Sequence, residues 1–247
     1  MQQDAMHDGA APEIRRVRHE LKLRELEVAR IEPLGPGFVA ITFRGESLAD
    51  FVSMSFDDHV KCFFDDGDGG QARRDYTPRR FNREARELTV EFALHGDGAA
   101  ADWARHAAVG QHLSIGGPRG SMIIPMDAAW HLLVGDATAL PAISRRLEEL
   151  PAGVPAFVLV LAEAGDRRAF STDAAADVRW FDAPDELVAA LDGLALPAGH
   201  GFAWGGGEAS VMAQVRRLLA EKGIPRYATR VSAYWKEGVA EHHENLE

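Results

Sequence analysis

The sequence predicts an α+β protein of two domains, an antiparallel β-barrel followed by an α/β domain with a parallel sheet. Three observations carry this. Residues 20–125 hold many short strand-like runs broken by turn residues, with one short helix among them. After Pro125, apolar strand-like runs alternate with helical stretches, the mark of parallel strands joined by crossovers. With 247 residues, 46% hydrophobic and 26% charged, the chain is long and apolar enough for two modest cores. The expected division is 20–125 and 126–238, with tails at 1–19 and 239–247.

Taken in order, residues 1–20 are polar, with a basic cluster at Arg15, Arg16 and Arg18, and read as a solvated lead-in. Leu26, Val28 and Ile31 then sit among charged residues. P-L-G-P-G turns the chain, and Phe38 to Arg44 has strong strand character, so the pair reads as a hairpin or meander. Ser47 to Phe51 suits a helical turn. Asp57 to Phe64 gives a strand stopped by D-D-G-D-G-G, and Glu87 to Leu94 alternates like a half-buried strand. Ala99 to Ala108 is an alanine-rich helix and Gln111 to Gly116 a strand.

In the second half, Trp130 to Gly135 and Ala156 to Ala162 are buried strands, V-R-W-F-D a third and Gly201 to Trp204 a fourth. Thr138 to Leu150, Pro184 to Leu191 and Glu208 to Lys222 are helical. Tyr227 to Lys236 is the last strand. Sheets of this kind bind ligands outside the carboxyl ends of their strands.

Composition excludes several classes. A single cysteine, Cys62, rules out an internal disulfide and a four-cysteine zinc or iron–sulfur site. No metal ligand set is expected, since the His242-His243 pair stands by itself in the tail. A formal net charge of -11 disfavours nucleic acid as a partner, because phosphate recognition needs a basic face. No apolar run is long enough to span a membrane, and the polar N-terminus lacks a secretory signal. The expectation is a cytoplasmic monomer.

The stretch from Arg74 to Ser121 concentrates the candidate chemistry. It opens with R-D-Y-T-P-R and closes with G-P-R-G-S. A flavin dinucleotide needs a flat apolar surface for its ring, donors for the ring edge, and positive charge or free amides for its diphosphate. Tyr76 offers a stacking face, Thr77 a hydroxyl, and Arg74 and Arg79 planar forks for phosphate. H-G-D-G before the helix at Ala99 presents open amides, with Asp97 either turned away from the anion or capping the helix. Each piece has a plainer reading: an R-x-Y-T run is also simply a strand, and a glycine-rich turn before a helix simply a turn. By pattern alone the plainer reading is favoured.

Taken together, these motifs resemble the siderophore-interacting protein family of flavin-dependent ferric-siderophore reductases. D-D-H-V-K-C-F-F, G-D-A-T-A-L-P-A-I (Gly135 to Ile143), W-G-G-G-E (Trp204 to Glu208) and Y-W-K-E-G (Tyr234 to Gly238) extend the match in order over most of residues 20–238. The resemblance implies a ferredoxin-reductase-like architecture, FAD as cofactor, and electrons drawn from NADPH, NADH or ferredoxin to reduce ferric siderophores in the cytoplasm. It implies that Arg74, Tyr76 and Thr77 form the flavin triplet and that His95 lies near the flavin. Gly98, Ala99 and Ala100, with Gly117, Arg119, Gly120 and Ser121, take the place of dinucleotide turns. Relatives often carry Gly-Pro-Ala where this chain has Gly-Ala-Ala, which leaves one amide more.

For the nicotinamide, Gly135-Asp136 ends the first strand of the second domain, Thr138 can cap the helix after it, and Gly205 to Glu208 opens another. No G-x-G-x-x-G is present. Arg167 and Arg168 after the second strand point to NADPH, Glu163 to NADH, and the choice leans to NADPH. Lys61, Arg230 and Lys236 form the expected basic substrate patch. No catalytic side chain is assigned, because the flavin carries the redox chemistry. The alternatives are a ferredoxin-fed reductase, a ferric-chelate binding protein without turnover, and a general flavin reductase.

Overall fold

The computed structural model describes residues 14–65, 70–96, 98–238 and 244–245. The earlier lead-in, the glycine-rich turn at 66–69, Asp97 and the His242-His243 pair lie outside the described residues. The first half contains β1 (Arg15–Arg18), β2 (Leu23–Pro33), β3 (Phe38–Arg44), β4 (Val60–Asp65), β5 (Gln71–Tyr76), β6 (Arg80–Asn82) and β7 (Glu87–Ala93). After these come helix α1 (Ala99–His106), β8 (His112–Gly116) and β9 (Gly120–Ile123). Seven of the strands form one antiparallel sheet in the order β5-β4-β8-β2-β3-β7-β6. It curls into a half-barrel around Leu26, Ile41, Phe43, Val60, Phe64, Val90 and Phe92, all essentially buried. These are the inward positions of alternating strands, so period-two patterning decides which face closes on the core. Thr77, Pro78 and Arg79 link the two ends of the sheet, β5 and β6. Trp103 plugs α1 into the barrel, stacked on Phe43 and packed against Phe64 and Phe92.

One expectation fails at the start of the chain. Residues 15–18 are not solvated backbone: β1 pairs antiparallel with β9, Arg18 opposite Gly120 and Arg15 opposite Ile123. The arginine side chains of β1 are exposed while its backbone is in a ladder. Side-chain polarity was a poor guide there because strand pairing uses only main-chain groups.

The second half contains β10 (His131–Asp136), α2 (Leu140–Glu149), β11 (Pro155–Leu161), β12 (Ala175–Phe181) and α3 (Pro184–Asp192). Then follow β13 (Phe202–Glu208), α4 (Ala209–Glu221), β14 (Thr229–Trp235) and β15 (Glu244–Asn245). The sheet order is β12-β11-β10-β13-β14-β15, parallel except for β15. Strand order reverses between β10 and β13, where sheets of this kind leave a crevice at their carboxyl ends. Val211, Met212, Val215, Leu218 and Leu219 line one face of α4 and are buried, as helical spacing requires. The run Gly205–Gly207, expected to end its strand at Trp204, continues the strand to Glu208. A Cβ at Gly207 would fall 2.6 Å from Asp136 Oδ2, so a bare backbone lets β13 pass that carboxylate.

His131 opens β10 and is completely buried. Burial, reinforced by the nearby Arg146 guanidinium, pushes its imidazole down to about 4. The fold therefore holds His131 neutral, whereas the unfolded chain protonates it near its ordinary value of 6.5. Stability from this group is fully present above about pH 6.5 and is lost as pH falls toward 4, in all by about 3 kcal/mol. Urea midpoints measured between pH 7 and pH 4 are expected to show this loss, and His131→Leu to remove that part of the slope.

Candidate active site at the sheet junction

The carboxyl edge of the parallel sheet faces the β5 edge of the half-barrel across a cleft of about 490 Å³. Arg74, Tyr76 and Thr77 come to it from β5 and its end, and Lys61 from β4. Thr138 and Pro141 come from the turn after β10 and the start of α2, and Arg230, Tyr234 and Trp235 from β14. Segments more than 150 residues apart thus share one wall. Strand alternation explains the β5 side: Arg74 and Tyr76 share a face, and Pro78, which has no amide to give the ladder, ends the strand just after Thr77.

The Tyr76 ring lies against Phe92 at 4.5 Å between centroids and edge-on to Phe64 at 6.3 Å. Its burial drives the phenol well above the ordinary tyrosine range, so it stays neutral at physiological pH. Phe64 and Phe92 also carry Trp103, so the ring at the cleft and helix α1 rest on the same aromatic pair. The helix starts at Gly98 without a side-chain cap, and a Cβ on Gly98 would meet nothing within 4 Å. The first amides of the helix thus have no side-chain cap, as an anion-binding helix start requires. The flavin dinucleotide expected from the sequence fits the residues present: Tyr76, Thr77 and Arg74 bring a flat ring, a hydroxyl and a guanidinium to the cleft, and Gly98, Ala99 and Ala100, outside its lining, open a helix with no side-chain cap.

Other expected site residues make contacts within the protein. Ser121 spends its hydroxyl internally, donating to Asp58 Oδ2 at 2.6 Å while Met54 N donates to it and His19 Nε2 lies 2.8 Å away. Gly117, Arg119 and Gly120 are not among the residues lining the cleft. The Gly117 carbonyl accepts from Arg24 and the Arg119 carbonyl from the His19 amide. This turn braces the barrel because β1 lies on it: Val17 O is 2.5 Å from where a Cβ on Gly120 would stand.

Asp136 sits at the carboxyl end of β10, as expected, but its carboxylate is fully engaged. It accepts from the Thr138 amide at 2.8 Å, the Thr138 hydroxyl at 2.5 Å, the Glu208 amide at 2.8 Å and the Trp235 indole at 2.9 Å. Burial pushes its carboxyl up, and those hydrogen bonds oppose the shift. Asp136, not Thr138, is the cap of the turn, and by holding Trp235 it shapes the cleft wall from behind. Glu208 caps its own helix, accepting from the amides of Ser210 at 2.6 Å and Val211 at 3.1 Å.

Arg79, expected at phosphate, instead ties the two halves together. It is 8% exposed, forms a bidentate pair with Glu148 at 2.7 and 2.6 Å, and lies 3.0 Å from Glu91. Arg168 donates to Glu91 at 2.7 Å and lies over Phe38, while Arg167 holds the Ala162 carbonyl and Asp182. Both guanidiniums are thus engaged within the protein, Arg167 with the exposed carboxylate of Asp182. His95 is held by Asp166 at 2.8 Å, edge-on to the cleft residue Phe38. The other Asp166 oxygen accepts the Gly37 amide at 2.9 Å. Only glycine fits at 37, where a Cβ would stand 2.4 Å from Asp166 and 2.5 Å from His95.

Of the expected substrate cations, Lys61 and Arg230 reach the cleft and Lys236 does not. Lys61 is paired with Asp75 at 2.7 Å. Arg230 is paired with Asp57, which also accepts the Trp204 indole at 2.8 Å. Asp57, Asp75, Phe38 and Trp235 were not singled out from sequence. Asp57 and Trp235 stand inside the quoted motifs D-D-H-V-K and Y-W-K-E-G, which was the available signal. Among the described residues no cluster of three or more metal-ligating side chains occurs.

Comparison with known proteins agrees with this geometry. Residues 128–238 match the model of the "Siderophore-interacting protein" family, and residues 27–73 and 66–122 that of the "Siderophore-interacting FAD-binding domain". The NADPH-dependent ferric-chelate reductase of Escherichia coli K12 is 35% identical, over 89% of this chain and 95% of that protein. A siderophore utilization protein from T. fusca superposes with a TM-score of 0.86 at 35% identity, covering 93% of this chain and 98% of that one. For the siderophore-interacting protein SipS from Aeromonas hydrophila the values are 0.78, 30%, 89% and 93%. The ferredoxin reductase of carbazole 1,9a-dioxygenase, at 16% identity and a TM-score of 0.65, shares the fold alone.

Proposed function

This chain belongs to the siderophore-interacting protein family, and we propose that it is an FAD-dependent reductase that passes electrons from NAD(P)H to ferric siderophores. The observation that supports the proposal is the cleft, which Arg74, Tyr76 and Thr77 line opposite the carboxyl edge of the parallel sheet. When bound, FAD supplies the conversion between the two electrons of a hydride and the single electron that each ferric ion accepts. Tyr76 offers the ring a face, Thr77 a hydrogen-bonding edge, and Arg74 with the amides of Gly98, Ala99 and Ala100 a seat for the diphosphate. Thr138 lines the cleft on the side where the nicotinamide would approach, and Glu208 ends the neighbouring strand β13. Per NADPH, a pair of ferric chelates is reduced, leaving NADP⁺ and a proton. Siderophore oxygens hold ferric far better than ferrous iron, so reduction loosens the metal without cleaving the chelator.

NADPH is the proposed donor because of the likeness to the E. coli reductase, Arg167 and Arg168 being occupied elsewhere. Residues 20–125 form the proposed FAD unit and 126–238 the nicotinamide unit of a cytoplasmic monomer. Among the described residues no helix is long and apolar enough to cross a membrane. The test is a visible absorption spectrum after incubation with FAD and desalting, followed by anaerobic addition of NADPH and a ferric chelate. The expected result is a retained flavin spectrum that bleaches with NADPH alone and recovers as ferrous iron forms. A colourless protein removes the flavin assignment. A retained flavin that only reduced ferredoxin can bleach moves the donor to ferredoxin.

A further inference from the structure

The cleft wall carries four basic side chains, Lys61, Arg73, Arg74 and Arg230, and three carboxylates, Asp57, Asp75 and Glu91. The two cations best placed to attract an anion each already face a carboxylate of the same wall, Lys61 with Asp75 and Arg230 with Asp57. These pairs are not easily given up. The Asp57 side chain is 3% exposed and that of Asp75 19%, so an incoming anion that took their cations would leave a buried or half-buried charge unpaired. Glu91 is held by Arg79 and Arg168 from behind the cleft. Arg74 belongs to the proposed flavin seat, and the bound dinucleotide adds negative charge of its own. Around all this the chain carries a net charge of -11, which repels anions at long range. Outside the proposed flavin residues the wall is largely apolar or aromatic, with Phe38, Pro141, Tyr234 and the 42% exposed Trp235.

We infer that this mouth, with Lys61 and Arg230 each offset by a carboxylate, selects ferric chelates of little or no net charge, such as neutral tris-hydroxamates, over highly anionic tris-catecholates. The inference rests on reading the cleft as the chelate site. A neutral chelate meets an apolar wall and leaves both ion pairs intact. A trianion meets two carboxylates that its own charge cannot displace. Asp57 and Asp75 are then specificity-determining residues, acting by cancelling the cations beside them.

Gallium(III) chelates mimic the ferric ones and accept no electron, so binding is separable from turnover. Isothermal titration of the FAD-loaded protein should give a gallium tris-hydroxamate affinity at least tenfold above that of a gallium tris-catecholate. The hydroxamate affinity should not change with ionic strength. Asp75→Asn exposes the Lys61 charge and should shift the affinity ratio roughly tenfold toward the tris-catecholate. Asp57→Asn should act the same way, but Asp57 also anchors Trp204, so Asp75 is the cleaner site. The inference is overturned by a tris-catecholate that binds as tightly and weakens with salt, by a ratio that Asp75→Asn leaves unmoved, or by binding of neither chelate. Turnover of the matching ferric chelates is measured in parallel. Binding in the expected order without reduction refutes the reductase reading and leaves the charge selection standing.

Discussion

Replacing Glu91 by alanine is expected to destabilise the protein by about 3–5 kcal/mol, the largest single-site effect anticipated here. Glu91 is 7% exposed on β7, 3.0 Å from Arg79 and 2.7 Å from Arg168. Arg79 in turn is bound to Glu148 of α2. The four side chains join the half-barrel to the parallel-sheet unit under the cleft. Truncating Glu91 leaves the Arg168 guanidinium over the Phe38 ring without its carboxylate and halves the charge compensation of Arg79. A lost partner in a buried pair costs far more than the pair itself contributes, because the stranded charge cannot regain water. Glu87→Ala is the control. Its partner Arg30 is 52% exposed, and the loss there should stay below about 1 kcal/mol. Urea unfolding of the two variants decides the matter: equal, small effects would show that the junction does not depend on this network.

Arg74→Ala is expected to raise the FAD dissociation constant by about ten- to a hundredfold while leaving the unfolding midpoint of the apoprotein nearly unchanged. A charge-assisted hydrogen bond to phosphate contributes about 1.5–3 kcal/mol, which sets that range. Arg74 lines the cleft, is half-buried and donates to the Arg73 carbonyl, whereas Arg79 is bound to Glu148 of α2. The paired experiment is therefore informative. Arg79→Ala should lower stability, with flavin affinity following only as the fold loosens. Flavin fluorescence titration beside urea unfolding separates the two arginines. A flavin affinity unaffected by Arg74→Ala would move the diphosphate seat entirely to the amides of α1.

The two arginines of R-D-Y-T-P-R show where sequence reading reached its limit. Both are planar forks at a plausible distance from Tyr76, and nothing local separates them. Pro78 ends β5 between them, so Arg74 stays on the cleft wall while Arg79 turns under it toward Glu148, 69 residues away. The same limit explains Asp136, Glu208 and Ser121. Asp136 and Glu208 were expected at the carboxyl ends of their strands and Ser121 in a turn, but a polar side chain at such a place either faces a ligand or satisfies the groups around it, and its neighbours in the fold decide which. Lys61 and Arg230 were read correctly as cleft residues and incompletely as charges, because their partners Asp75 and Asp57 come from other segments of the chain.

By itself the sequence determined the order and type of the elements: a half-barrel of alternating strands, then apolar parallel strands alternating with amphipathic helices. Periodicity is local, and a strand or helix must bury the face that its own residues make apolar. The sequence also offered the candidate flavin residues, ring, hydroxyl, fork and glycine, as residue types suited to that chemistry. Only the tertiary structure decided which charges are free to act. Whether a guanidinium or a carboxylate serves a ligand or a neighbour depends on what lies within about 3 Å of it. In this chain the neighbour comes from the other half of the molecule for Arg79 and Arg230, and from the adjacent strand for Lys61.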